Sequence, residues 1–527
     1  MTVAILGGTG VFGSRLARLL RRDGREVVLV SRTGGSALAA EIGAGSLALD
    51  RAGDLGPLFA LSPKVVVDAA GPFQDYGGDY RLARACIAAG VNYLDFSDDA
   101  GFCAGISALD AEARAAGVFV LSGVSSVPAL SSAVVAELAA GLERVEAIEA
   151  AILPGNRAPR GRSVMAGILG AVGRPVRVFE GGAWEERPGW SDPALYVLPG
   201  GTRRRAWLTP VPDLELFPAA FGARTVRFRA GLELGVMGWG LAALSLLRRA
   251  VPVPVPVGPV KWLADRLDGF GTDVGGMVVA VTGHDGRGFV QRRWRLLAEA
   301  GEGPFVPAVP ARALIAAGAA PGARAAIAEL PLPAFEGAMA DLSVRFERDE
   351  TPVAPLFAEV LGDRFASLPP AVRDSHATVA VSRLAGEAEV TRGAGAWPRV
   401  LAALFRLPPA AARVPVTVVK TRTAAGETWE RRFGAGRFRS HLSAERGRMV
   451  ERFGPFRFTL GLHVAEGALH FPVLSARVGP VPLPRWALPG SVAAEREVDG
   501  RFRFDVALHA PLTGGLVVRY RGWLERV

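Results

Sequence analysis

Gly7, Gly10 and Gly13 fall three residues apart in VAILGGTGVFGSRLARLLRRDGREVVLVSRT, the stretch from Val3 to Thr33. Val3 to Leu6 is an apolar run suited to a strand buried on both faces. Gly7 and Gly8 can adopt backbone angles that other residues resist. Gly10 leaves room for a pyrophosphate beside the backbone, and Gly13 lets the next helix lie close on the strand. Phe12, Leu16, Leu19 and Leu20 then recur at helical spacing, with Arg15, Arg18, Arg21 and Arg22 mostly on the other face. Gly24 ends the helix, and Glu26 to Val30 reads as a second strand. The same residues could form an ordinary strand–turn–helix. A strand before, a helix after and a matching second strand favour a dinucleotide site.

The end of the second strand indicates which dinucleotide. An NAD site usually has Asp or Glu there, to bind the ribose 2′-hydroxyl. Here stand Ser31, Arg32 and Thr33. A guanidinium and two hydroxyls suit a 2′-phosphate, so the expected cofactor is NADP(H).

At 527 residues the chain is too long for one ordinary domain, and with half its residues hydrophobic it can bury large cores. Cys86 and Cys103 cannot build a disulfide framework or a multi-thiolate zinc site. The net charge of +10 is nearly all arginine, spread along the chain instead of gathered in a patch. That argues against nucleic acid. It fits solvated faces, or weak attraction to anionic lipid. No basic segment precedes the first apolar run, so no signal peptide is expected. A cytoplasmic setting fits, at most peripheral to the inner membrane.

Strand and helix alternate up to about residue 130, which means a doubly wound parallel sheet. Residues 131–345 read as an α+β domain for substrate binding or dimerisation, with strands at 145–153, 225–234, 276–283 and 288–298. Within it, Leu234 to Leu247 is the longest uncharged apolar run, too short to span a bilayer. It suits either a buried or domain-bridging helix, or one that touches a membrane. Residues 352–527 form a third, β-rich unit: helices at 355–361 and 397–405, then nine strands from 416–421 to 516–524. RFRFDV at Arg501–Val506 alternates Arg and Phe, giving one wet face and one dry. A curved antiparallel sheet against two helices follows, able to enclose a ligand or simply to pack a core.

GGTGVFG, DAAGPFQDYG, ARACIAAGVNYLDFSDD and SGVSSVPALSS together resemble the saccharopine dehydrogenase-like reductases, and more closely a bacterial membrane- or lipid-related branch than the lysine-pathway enzymes. The likeness covers about residues 1–132 and continues more weakly to about 345. From about 352 the chain resembles a bacterial domain of unknown function often fused behind such reductases, through ETWERRFG, ERFGPFRF and VPLPRWALPGS. The resemblance implies NADP(H) contacts from Gly7, Thr9, Gly10, Val11, Phe12 and Gly13. It implies that Ser31 and Arg32 hold the 2′-phosphate and that Asp50 lies near the adenine. Ala70, Gly71, Pro72 and Phe73 would line the nicotinamide side. Where relatives carry an Asp in the SGVSSVPALSS loop, this chain has Ser126 and Ala129. A homodimer through the second domain's sheet is implied by analogy.

Hydride transfer needs a proton donor or acceptor beside the nicotinamide. No histidine precedes His284, and no tyrosine is followed four residues later by lysine. The short-chain dehydrogenase arrangement is therefore absent. Acid–base candidates then lie at the strand ends: Asp75 and Tyr76, then Asp95, Asp98 and Asp99. Tyr93 suits a packed core aromatic; Asp98 and Asp99 suit a helix-capping or solvated loop pair as well as they suit a catalytic role. Asp95 and Tyr76 are the favoured catalytic pair. His376, His441, His463, His470 and His509 lack carboxylates or thiolates at ligand spacing, so they read as surface or strand histidines and no metal site is expected. The expected function is an NADP(H)-dependent oxidoreductase acting on C=O, C=N or C=C of a small or lipid-like substrate. The alternative is a non-catalytic NADP(H) sensor or scaffold whose last domain binds a ligand.

Overall fold

The structure is a computed structural model that describes residues 1–527 apart from 160, 252 and 255–256, and apart from the side chains of 162–164 and 263. The chain divides into two compact units: residues 1–179, 184–283 and 291–351 form the first, and 180–183, 284–290 and 352–527 the second.

The first unit opens with β1 (Thr2–Leu6), β2 (Glu26–Ser31), β3 (Gly45–Ala48), β4 (Val65–Asp68), β5 (Asn92–Asp95) and β6 (Phe119–Ser122). They lie parallel in the order β3-β2-β1-β4-β5-β6, the doubly wound arrangement. A seventh parallel strand, Gly322–Ala325, pairs with β6 from far along the chain. β1 shows why its sequence is apolar without alternation. Val3 and Ile5 belong to one core cluster and Ala4 and Leu6 to another, on opposite faces of the sheet. The helix Val11–Arg22 buries Leu16, Ala17, Leu19 and Leu20 on the first of these clusters.

A nine-stranded mixed sheet completes this unit. Its main path runs Ala194–Val197, Arg203–Leu208, Val226–Gly231, Arg144–Leu153, Gly275–His284, Phe289–Ala298, Val344–Pro352. Ile148, Phe228, Val279 and Trp294 join the same cluster as Val3 and Leu16, so the two sheets share a core. Arg312 fastens one edge: its guanidinium donates to Asp23, just after the first helix, and to Asp341.

The apolar run at 234–247 does form a helix, Gly235–Ala250, but it is not buried. Only Gly238 and Ser245 are enclosed. The inward face seats half-buried Met237, Leu241 and Leu244 beside polar anchors: Gly238 meets the ring of Trp207, the Ser245 hydroxyl donates to Gly189 O, and Arg248 donates to the carbonyls of Leu169 and Val172. Val236, Trp239, Leu246 and Leu247 face out.

The second unit is a thirteen-stranded antiparallel sheet, with Val381–Arg392 near its middle between Ala411–Thr423 and Leu516–Arg526. That central strand was missed in the sequence because Glu387 and Glu389 interrupt its apolar pattern. Gly386 is needed there, since a Cβ would sit 2.0 Å from Trp523 O. Phe502 and Phe504 face the core and Arg501 and Arg503 face out, as the alternation predicts. Helices Leu356–Leu361 and Pro370–His376 cover the core face, and Ala396–Leu404 packs on a smaller cluster with Ala510 and Val517. Pro370–His376 is a helix the sequence did not announce, and it carries His376 inside.

The first fold-level prediction concerns Gly13. A Cβ there would lie 2.4 Å from Gly7 O. Gly13→Ala should lower stability by about 1–3 kcal/mol in thermal or chemical unfolding of the full chain. A variant as stable as the parent would show that the helix does not need this close seat.

Candidate active site

The order of the strands reverses between β1 and β4, and the glycine turn sits at that switch point. Gly7 has φ +70°, and its N–H donates to Val30 O at 2.9 Å. A Cβ on Gly7 would lie 2.6 Å from Ala69 O, and one on Gly8 2.8 Å from Ile5 O. The protein's own packing therefore demands Gly7, Gly8 and Gly13. Gly10 differs: it is exposed, and a Cβ there would meet only Gly7 O, at 3.1 Å. Its missing side chain keeps open the space in front of the helix.

Thr9 and Gly10 are exposed and Val11 and Phe12 half-buried at the start of that helix. The helix has no side-chain cap and no acidic residue in its first turn. Its first N–H groups and the positive end of its dipole thus face outward, the arrangement that binds phosphate. At the end of β2 the Ser31 hydroxyl is buried without a hydrogen-bond partner. Arg32 beside it is exposed, and among the described residues neither an ion pair nor a hydrogen bond engages its side chain. An orphaned hydroxyl beside a free guanidinium fits a 2′-phosphate. Asp50 is exposed and accepts from Ala52 N at 2.9 Å, closing its own turn.

Beyond β4, Arg51 donates to Asp68 at 2.8 Å and lies 3.8 Å over the ring of Tyr76. Asp68 is fully buried and also accepts from Ala70 N. The Tyr76 hydroxyl donates to Ala70 O. Burial and the neighbouring Asp68 push the Tyr76 phenol above its usual range, against Arg51 and Arg32. Tyr76 therefore stands on the Arg32 side of the crevice as a neutral phenol. Ala70 and Pro72 are half-buried and Gly71 is exposed, whereas Phe73 is buried among the rings of Tyr76 and Phe102.

Asp95 lies under the crevice floor. Register pairs Asp68 with Asp95 across β4 and β5, so the two carboxyls are neighbours on one face. One Asp95 oxygen accepts from Ser97 N, Ser122 Oγ and Gly123 N at 2.8–2.9 Å; the other is buried without a partner. Burial lifts this carboxyl to about 7, against those three hydrogen bonds. Tyr93, on the same face, is wholly buried in the core. Asp99 caps the helix Ala100–Gly105 by accepting from Phe102 N at 2.7 Å. Asp98 is exposed and accepts from Gln74 Nε2 at 3.0 Å. That bond joins the turns after β4 and β5 at the mouth of the crevice. Gln74 and the Arg51–Asp68 pair carried no sequence signal, since only the strand ends and the fold bring them together. Asp213, at the start of the helix Pro212–Phe221, is a further enclosed carboxyl that burial lifts to about 7. Burial pushes both cysteine thiols up as well, which makes them inert.

The second unit holds a separate buried cluster. His376 is fully enclosed, so it is not a surface or strand histidine. Its Nε2 lies 2.5 Å from Glu495, and its Nδ1 3.4 Å from Lys420 Nζ. Lys420 donates to Ser375 O at 2.6 Å and sits 4.1 Å above Trp429. Burial and the Lys420 charge hold His376 down at about 4, so the imidazole is neutral at pH 7. Nε2–H then donates to Glu495, and Nδ1 accepts from Lys420. Burial lowers Lys420 to about 8, against Glu427 and Glu495. His463 and His470 stack 5.0 Å apart across the turn at Glu466 and Gly467.

The first unit therefore presents a Rossmann dinucleotide site with an uncapped helix, a glycine cradle and a basic, hydroxylated end to β2. Residues 3–121 match the family model described as the saccharopine dehydrogenase NADP binding domain, and residues 368–524 match DUF4166, a domain of unknown function. The chain thus carries an NADP-binding domain of the saccharopine dehydrogenase type and a DUF4166 domain, and its cofactor is a nicotinamide dinucleotide. No curated protein matches it. Among solved structures it is similar to the WlbA (WbpB) dehydrogenase from Thermus thermophilus in complex with NAD and UDP-GlcNAcA: 14% identity over 64% of this chain and 93% of that chain, TM-score 0.31. It is also similar to biliverdin reductase from Synechocystis in complex with biliverdin and NADP+: 11% identity over 64% of this chain and 95% of that chain, TM-score 0.30.

The raised Asp95 carboxyl makes stability depend on pH. In the unfolded chain it titrates near 4. Between about pH 4 and 7 the folded chain therefore holds more protons, and stability falls as pH rises through that window. Asp213 acts with the same sign. Asp95→Asn should flatten the decline by on the order of 2–4 kcal/mol in denaturant titrations at pH 4.5 and pH 7.5 (about one proton's worth over three decades). An unchanged slope would mean that Asp95 is ionised in the folded chain.

Proposed function

We propose that the protein is an NADP(H)-dependent oxidoreductase that reduces a C=O, C=N or C=C bond of a small or lipid-like substrate. The single observation that carries this reading is the uncapped helix behind a tightly packed glycine turn at the β1/β4 switch point, with exposed polar groups on the turns after β4 and β5. NADPH, when bound, supplies the hydride. The chain's own residues do the rest: the N–H groups of Val11, Phe12 and Gly13 hold the pyrophosphate, and Ser31 and Arg32 hold the 2′-phosphate. Arg51, braced by Asp68, and the neutral Tyr76 flank the Arg32 side. Ala70, Gly71 and Pro72 border the nicotinamide side.

Asp98 is the group we assign to proton handling, because it is exposed at the mouth and oriented by Gln74. Asp95 serves beneath it as a positioning residue, fixing the loops at Ser97 and Gly123 through three hydrogen bonds. Residues 131–345 supply the substrate wall. The enclosure of Asp95 and the bonded Tyr76 hydroxyl favour one second reading, an NADP(H) sensor without turnover.

Turnover separates the two. Purified protein should consume NADPH with at least one acceptor from a panel of carbonyl, imine and enoyl compounds. Asp98→Asn should lower kcat about a hundredfold while leaving NADPH affinity unchanged. Binding of NADPH with no acceptor turned over would leave the sensor reading standing and overturn this one.

A further inference from the structure

The helix Gly235–Ala250 is apolar on both faces: Met237, Leu241 and Leu244 pack inward, and a second apolar stripe faces out, unlike an ordinary surface helix. Its exposed positions are Val236, Trp239, Gly240, Ala243, Leu246, Leu247, Arg249 and Ala250, at spacings of three and four on one face. Val236 is 74% exposed, Leu246 64% and Trp239 51%. Among the described residues of the first unit none covers this stripe, although the helix is firmly seated. Trp190 Nε1 donates to Gly238 O at 2.9 Å, Trp190 stacks on Trp207, and a Cβ on Gly238 would strike Trp207 at 2.2 Å. The stripe is thus held rigidly outward.

The charges beside the stripe are mainly basic, and the one carboxylate of the next helix, Asp265, is paired with Lys261. Residues 235–254 contain Arg248 and Arg249 and no acidic residue. Arg205 lies over the Trp239 ring at 5.2 Å. At the C-terminal end of the helix, Arg174 and Arg248 line an open cavity of about 310 Å³ together with Gly173, Val253 and Pro254. The next helix, Val257–Arg266, packs beside it through Met237, Leu241, Val260 and Ala264, and exposes Trp262 with Arg266 over its ring at 4.5 Å.

We propose that this face docks on a membrane surface bearing anionic phospholipid. The helix lies in the interfacial plane: its stripe enters the acyl boundary, Trp239 and Trp262 sit at headgroup level, and the exposed Arg205 and Arg249 meet phosphate. The helix is about 24 Å long, and no described helix is long and apolar enough to cross a membrane. Charge decides between a bilayer and a second copy of the chain. A two-fold pairing of this face would set stripe segments that carry arginine and no carboxylate against each other. Phosphate headgroups neutralise these arginines.

Full-length protein should co-sediment with vesicles of phosphatidylglycerol and phosphatidylcholine, with weaker binding to phosphatidylcholine alone and weakening by salt. Leu246→Glu and Val236→Glu alter only exposed side chains, and circular dichroism checks that they fold. Each should lower vesicle affinity about tenfold or more. Three results would overturn the proposal. The wild type could stay in the supernatant. Both variants could sediment like the wild type. Or sedimentation velocity could show a dimer that Leu246→Glu converts to monomer without vesicle binding, which would assign the face to a second copy.

Discussion

The first unit depends on the backbone contact between the glycine turn and the end of β4. Gly7 leaves β1 at φ +70°, with Ala69 O where its Cβ would be. Gly13 brings the first helix down onto the same peptide. A side chain at Gly7 would push the turn off the end of β4, and one at Gly13 would lift the helix off the turn. That contact sets the switch point, and the switch point in turn sets the crevice. The uncapped helix end, the free Arg32 and the turn holding Gln74 all owe their positions to it.

Two kinds of buried polar chemistry then appear, one in each unit. Under the crevice, Asp68 is neutralised by Arg51, while its neighbour Asp95 is shielded by keeping its proton and by three hydrogen bonds. In the second unit, Lys420, His376 and Glu495 form a chain of donors and acceptors in which the imidazole stays neutral. Both arrangements follow the rule that an enclosed charge needs a partner or must be discharged.

The Rossmann half was legible because its signals are local: an apolar run, glycines at fixed offsets, a helix of period 3.6 and a second strand ending in Ser31 and Arg32. The second unit's wet-and-dry strands were legible for the same reason. Three features were not. The strand Gly322–Ala325 joins the first sheet across two hundred residues, and no local pattern marks its partner. His376 reads as one polar residue among many until Pro370–His376 places it over the core. The helix Gly235–Ala250 was legible as a helix, but its orientation was not. Hydropathy reports that a run is apolar and leaves open which face the tertiary contacts of Gly238 and Ser245 turn inward.

We propose that Ser31 and Arg32, at the end of β2, take a 2′-phosphate. The most direct test is a titration of NADPH and of NADH followed by tryptophan quenching, in the parent and in Arg32→Ala. The account predicts that NADPH binds at least about tenfold more tightly than NADH, and that Arg32→Ala removes the preference while leaving NADH binding in place. Equal binding of the two dinucleotides, or an NADPH affinity untouched by Arg32→Ala, would contradict it.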